Sequence, residues 1–140
     1  MSAPPPFQQV HAPLAHWAAQ RPGAIALAHE TGHLTFAELH ARVQQRARAL
    51  QAAQAPATVL LPGALGVVET LVEFLGVLAS GRCAAIGDPA WPAHIATSVQ
   101  AAIGALPPLA PTAPGLAPFY IGFTSGSTGM PKGFRRHHQS

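Results

Sequence analysis

Thr124-Ser125-Gly126-Ser127-Thr128-Gly129-Met130-Pro131-Lys132-Gly133 sets three glycines, four hydroxyl residues, one proline and one lysine within ten positions. Glycine lets a backbone turn its amides toward a ligand with no side chain in the way. Successive amides in such a turn form a concavity that binds anions. The hydroxyls of Thr124, Ser125, Ser127 and Thr128 add donors for phosphate oxygens, and Pro131 stiffens the approach to Lys132. Lys132 is the sole lysine of the chain, every other basic side chain apart from histidine being arginine. A compact ammonium is therefore specific to this place. At the chain's own residue frequencies such a run arises by chance on the order of 10⁻⁸ per window, which favours a phosphate-binding loop over a flexible Gly/Ser surface segment. A Walker-type loop does not fit, because that motif needs Gly-Lys followed by Ser or Thr, whereas Pro131 precedes Lys132 and Gly133 follows it.

The residues upstream predict how the chain reaches this loop. Phe119 to Phe123 reads as a strand that delivers the chain into it, and residues 106–118, with five prolines, read as a surface connection. Before them, Pro92 opens a helix with Ile95, Val99 and Ile103 inward, and Asp88-Pro89 makes a turn after a strand over 83–86. Residues 65–79 form an apolar helix with Glu69 and Glu73 on its wet side, and Gly81 suits its C-terminal cap. Thr58 to Leu61 is a buried strand ended by Pro62-Gly63. Thr35-Phe36-Ala37-Glu38 is a capping box, in which the Thr35 hydroxyl and the Glu38 carboxylate each satisfy the other's backbone amide. The helix that it opens carries Phe36, Leu39, Val43, Ala47 and Leu50 inward, with Arg42, Arg46 and Arg48 mostly outside. A first helix runs from Pro13 to about Gln20, followed by a short strand over 24–29 and a turn leading to Leu34-Thr35. Residues 1–9 are a flexible Pro-rich lead, and 10–140 one unit. Strands alternating with helices of this length predict an α/β fold of layered βαβ units on a mostly parallel sheet.

Composition narrows the function classes. Hydrophobic residues make up 49% of the 140 and charged residues 9%, too apolar for a disordered chain. The net charge of +3 comes from eight basic and five acidic residues. The arginines at 42, 46 and 48 are spread along one helix, and Arg135-Arg136-His137-His138 is short, so the basic stripe of a nucleic-acid binder is not met. The single Cys83 excludes an intrachain disulfide and a cysteine-rich metal site, and its apolar setting predicts a buried, inert thiol. None of the eight histidines forms a helical pair with a carboxylate partner in the manner of zinc signatures, so no metal site is expected. Met-Ser-Ala-Pro-Pro-Pro has no apolar segment of a signal peptide, and the run at 65–79 is too short to span a bilayer. A soluble, cytoplasmic protein is expected.

Phe-Thr-Ser-Gly-Ser-Thr-Gly-Met-Pro-Lys-Gly at 123–133 resembles the signature of the adenylate-forming (AMP-binding) superfamily, which includes acyl-CoA synthetases and peptide-synthetase adenylation domains. Leu-Thr-Phe-Ala-Glu-Leu at 34–39 is similar to that family's early capped helix, and residues 80–92 are similar to its next helix–strand unit. His138 falls where the family places a histidine shortly after the loop. The resemblance covers nearly the whole chain, though only the loop is diagnostic. It implies part of the large N-terminal domain of an ATP-dependent acid-activating ligase, in which a carboxylate attacks ATP, with Mg²⁺, to give acyl-adenylate. A thiol, CoA or a carrier arm, then takes the acyl group. It further implies that Thr124, Ser125, Ser127 and Thr128 hold the β- and γ-phosphates, and that Gly126, Gly129 and Gly133 let the loop close. Lys132, as the catalytic cation, would neutralise the departing pyrophosphate. Family members are several times longer, and the chain ends seven residues after the loop, before the acidic Mg²⁺ residue and the later catalytic lysine. The expectation is an opening portion that forms no acyl-adenylate alone. The alternative is an inactive relic or a small phosphate-binding module.

Overall fold

A computed structural model describes residues 9–62, 65–106, 118–124 and 132–138. Ten elements follow one another: α1 (Ala12–Gln20), β1 (Ile25–His29), β2 (Gly32–Thr35), α2 (Phe36–Ala52), β3 (Thr58–Leu61), α3 (Val67–Ala79), β4 (Cys83–Ile86), α4 (Ala93–Gly104), β5 (Pro118–Thr124) and β6 (Lys132–His137). The Pro-rich lead, save for Gln9, and the connection at 107–117 lie outside the described residues.

The main sheet has the order β3-β4-β5-β6. Thr58 pairs with Cys83 and Leu61 with Ile86 in a parallel ladder, and Ala84 and Ala85 pair in parallel with Tyr120 and Ile121. β6 runs antiparallel to β5. The expected parallel arrangement therefore holds for β3, β4 and β5, and the sheet is mixed because the chain doubles back after β5. β1 and β2 form a separate antiparallel pair.

Alternation along the buried strands assigns the layers. Cys83 and Ala85 face α4, joining Ile95, Val99, Ile103 and Ile121 in one cluster. Ala84 turns to the opposite face, joining Leu61, Val77 of α3 and Leu50 of α2. A third cluster of Leu14, Leu34, Leu39 and Val43 draws α1, β2 and α2 together, with Leu71 and Leu75 of α3 against it. The small side chains of Cys83, Ala84 and Ala85 let helices approach both faces of β4, and these three residues are buried.

Local signals set the helix ends. The capping box forms as predicted: the Glu38 amide donates to Thr35 Oγ1 at 3.1 Å and the Thr35 amide donates to Glu38 Oε1 at 3.0 Å. These bonds also hold the Glu38 carboxyl below its usual pKa. Gly81, at φ +82°, closes α3: its amide donates to the Leu78 carbonyl and the Arg82 amide to the Val77 carbonyl. That reciprocal pair is the Schellman arrangement, and it needs a residue tolerant of positive φ. Arg46 and Glu73, both partly exposed, meet across the α2–α3 seam, where Arg46 Nε donates to Glu73 Oε2 at 2.6 Å.

Candidate functional site

β5 is the strand that brings the glycine-rich stretch to the sheet. Its register with β6 runs from Ile121 opposite Arg135, through Gly122 opposite Phe134 and Phe123 opposite Gly133, to Thr124 opposite Lys132. The first and last polar groups of the predicted loop, Thr124 and Lys132, are thus cross-strand partners at the mouth of a hairpin. Residues 125–131 join them, so Ser125, Gly126, Ser127, Thr128 and Gly129 lie outside the described residues. Gly133 sits in β6, where a Cβ would meet Ile121 Cγ2 at 3.4 Å and Phe123 Cε1 at 3.5 Å. Both are ordinary van der Waals separations, so packing does not by itself demand glycine at this position.

The hairpin mouth lies at the carboxyl ends of β3, β4 and β5, which run parallel. Ligands of open α/β sheets gather at this edge. The adjoining β4 end is built as a turn: the Gly87 amide donates to the Leu61 carbonyl at 2.9 Å, and Asp88 Oδ1 accepts from the Ala90 amide at 2.8 Å. That bond accounts for the Asp-Pro sequence by local geometry. The turn lays Trp91 edge-on against Phe123, ring centres 5.1 Å apart, so an aromatic pair braces the strand one residue before Thr124.

The two arginines after the loop are separated by alternation. Arg136 folds over the Phe134 ring at 5.4 Å from its centre, on the face where Phe134 covers Gly122. Arg135 lies on the other face with Ile121. Cys83 behind it is 1% exposed, and burial pushes its thiol up to about 11 despite the opposing charge of Arg135. The inert thiol expected from sequence is what burial produces.

His138, at the end of β6, accepts a hydrogen bond from the Val10 amide at Nδ1 (2.8 Å). Its ring lies 5.1 Å from Phe119 and 5.7 Å, edge-on, from His11. The histidine placed by motif spacing thus ties the residues just before α1 to the end of β6. Sequence reasoning missed this tie, since a separation of 128 residues leaves no periodic trace.

Among the described residues no three His, Cys, Asp or Glu side chains come together. No described helix is long and apolar enough to cross a membrane.

No protein-family model matches the chain, and no curated protein matches it. Solved structures do. The N-terminal subdomain of Klebsiella oxytoca NpsA, in complex with 3-hydroxybenzoyl-AMSN, superposes with a TM-score of 0.77 at 19% identity, over 94% of this chain and 41% of that one. A fatty acid AMP ligase from Legionella pneumophila gives 0.76 at 21% identity, over 94% of this chain and 31% of that one. An E. coli MenE variant with bound OSB-AMS gives 0.72 at 24% identity, over 97% and 35% respectively. The chain thus spans between about a third and two fifths of the length of these structures. Its alternating elements, its sheet and these superpositions agree: the chain has the fold of the N-terminal portion of the adenylate-forming enzymes.

Proposed function

We propose that residues 124–133 bind the phosphates of ATP, and that the chain forms the phosphate-loop portion of an acid-activating, adenylate-forming ligase. The observation that carries this reading is the pairing of Thr124 with Lys132 at the carboxyl edge of the parallel strands. It puts the two ends of the glycine-rich stretch side by side at the edge of an α/β sheet where ligands gather. ATP supplies the α-phosphorus that a carboxylate attacks, releasing pyrophosphate. On the protein side, the hydroxyls of Thr124, Ser125, Ser127 and Thr128 hold β- and γ-oxygens, and the backbone at Gly126 and Gly129 turns its amides inward. Lys132 balances the charge that grows on the leaving pyrophosphate, the kind of preorganised stabilisation that lowers such barriers. The acid, and CoA or a carrier thiol as acceptor, are partners of the complete reaction.

Calorimetric titration with ATP and with pyrophosphate tests the reading. The chain should bind both, and Lys132→Ala should weaken each by roughly ten- to a hundred-fold, the scale of one charge-assisted contact. Its Tm should hold to within about 0.5 kcal/mol of stability if the lysine serves the ligand and not the fold. Lys132→Arg should restore part of the affinity, because a planar fork replaces a compact ammonium incompletely. Unaltered affinity together with a large fall in Tm would make the residue structural.

A further inference from the structure

Gln9, Val10 and His11 run as a short strap just ahead of α1. They reach the open end of the β5–β6 hairpin, where Pro118 pairs with His137, while Thr124 and Lys132 lie at the other end. The contact is small and rests on two imidazoles. The Val10 amide donates to His138 Nδ1 at 2.8 Å, and the His11 ring meets the His138 ring edge-on at 5.7 Å. Phe119 of β5 lies against the His138 ring, 5.1 Å between centres. Behind the strap, α1 has its own anchor, since Leu14 is buried with Leu39 and Val43 of α2.

His11 is the sensitive member of this contact. Its Nδ1 is buried and has no hydrogen-bond partner among the described residues. In a neutral ring this nitrogen can remain a bare acceptor. An imidazolium carries a proton on both nitrogens, and here it would bury a charged N–H with nothing to receive it. His138 Nδ1 offers no acceptor, because it already takes the Val10 amide. Nor does an opposite charge compensate. From the end of β6 the group bearing on His11 is the His138 ring, of like charge when protonated. From β5 it is the uncharged Phe119 behind that ring, and α2 meets α1 through the apolar Leu39 and Val43. Burial first, and His138 second, hold the His11 pKa at about 4 against 6.5. A group whose pKa is lower when docked favours docking fully above 6.5, and that preference is lost as the pH falls toward 4.

We propose that residues 9–11 form a proton-released strap, docked on the open end of the β5–β6 hairpin while His11 is neutral and let go when His11 takes a proton from solvent. α1 stays on α2, and the four-stranded sheet keeps its order. The strap makes no use of phosphate binding, and either can stand without the other.

Hydrogen exchange at the Val10 amide tests this. Its protection, corrected for the intrinsic rate at each pH, reads the ratio of docked to released strap. From about pH 7.5 to about pH 4.5 that protection should fall at least roughly ten-fold. At both pH values Val10 should exchange faster than the amides of β4, as a local opening requires. His11→Gln removes the titrating ring and should flatten the fall. His11→Phe, which keeps a flat ring and takes no proton, does the same should glutamine pack poorly. His94→Gln, at an exposed position of α4, should keep the wild-type response. The proposal is overturned if Val10 protection is absent or constant across this range, or if Val10 exchanges only as slowly as β4, so that the strap leaves with the whole fold. It is equally overturned if both neutral variants lose protection as steeply as wild type.

Discussion

At His11, burial and a neighbouring imidazole act in the same direction. Desolvation first, and the His138 ring second, lower its pKa from 6.5 to about 4, and its Nδ1 is buried with no hydrogen-bond partner among the described residues. In the unfolded chain the group returns to about 6.5. Between those values the unfolded state binds more protons, so stability rises with pH. The contribution is complete above 6.5 and is lost as the pH falls toward 4. Melting at about pH 5 should therefore come at a lower temperature than at about pH 7.5, and His11→Gln should narrow the gap. A gap of the same size in His11→Gln would show that the acid sensitivity arises elsewhere. Residue chemistry of this kind was partly legible in the sequence. Cys83 was readable as buried because its neighbours are apolar, while the His11–His138 contact joins opposite ends of the chain and leaves no local sign.

Between elements, the α2–α3 seam is the tightest helix contact that the sequence failed to announce. Helical spacing identified the inward faces of both helices, and Leu39, Val43, Ala47 and Leu50 are buried as expected. Spacing does not say which residue of one helix meets which of the other. At Gly76 an added Cβ would stand 2.7 Å from Arg46 Cγ and 2.8 Å from Arg46 Cβ. The second atom is fixed to the backbone of α2 and cannot swing aside. Gly76 thus sets the separation of the helices and brings Arg46 within reach of Glu73. Gly76→Ala should destabilise the fold by about 1–2 kcal/mol: overpacking costs about 1–3 kcal/mol, and better helix propensity returns at most about 1. Urea unfolding measures it, and a midpoint equal to or above wild type would show that the seam relaxes freely. The β1–β2 pair was legible only in halves. The stretch at 24–29 reads as a strand, but β2 has one buried side chain, Leu34, too little alternation to mark a pairing partner.

For the whole molecule, the alternation of strands with helices was enough to predict βαβ layering, because a parallel strand pair requires a crossover of about this length. The direction of β6 was not readable. Phe134, Arg135 and Arg136 carry no pattern that distinguishes a return strand from a continued crossover, and the pairing of Thr124 with Lys132 follows from the hairpin. That pairing also changes how the glycine-rich stretch is understood. Gly133 belongs to β6, opposite Phe123, and so to the strand that follows the stretch at 125–131. The central claim is that the carboxyl edge of the parallel strands, and no other surface, takes the phosphates. Amide NMR of the labelled chain titrated with pyrophosphate tests it most directly. Saturable shifts should concentrate at 124–133 and fade within a few residues along β5 and β6, while the β1–β2 pair and the α2–α3 seam stay still. Shifts centred on the Arg42 and Arg48 face of α2, or none at saturating pyrophosphate, would contradict the account.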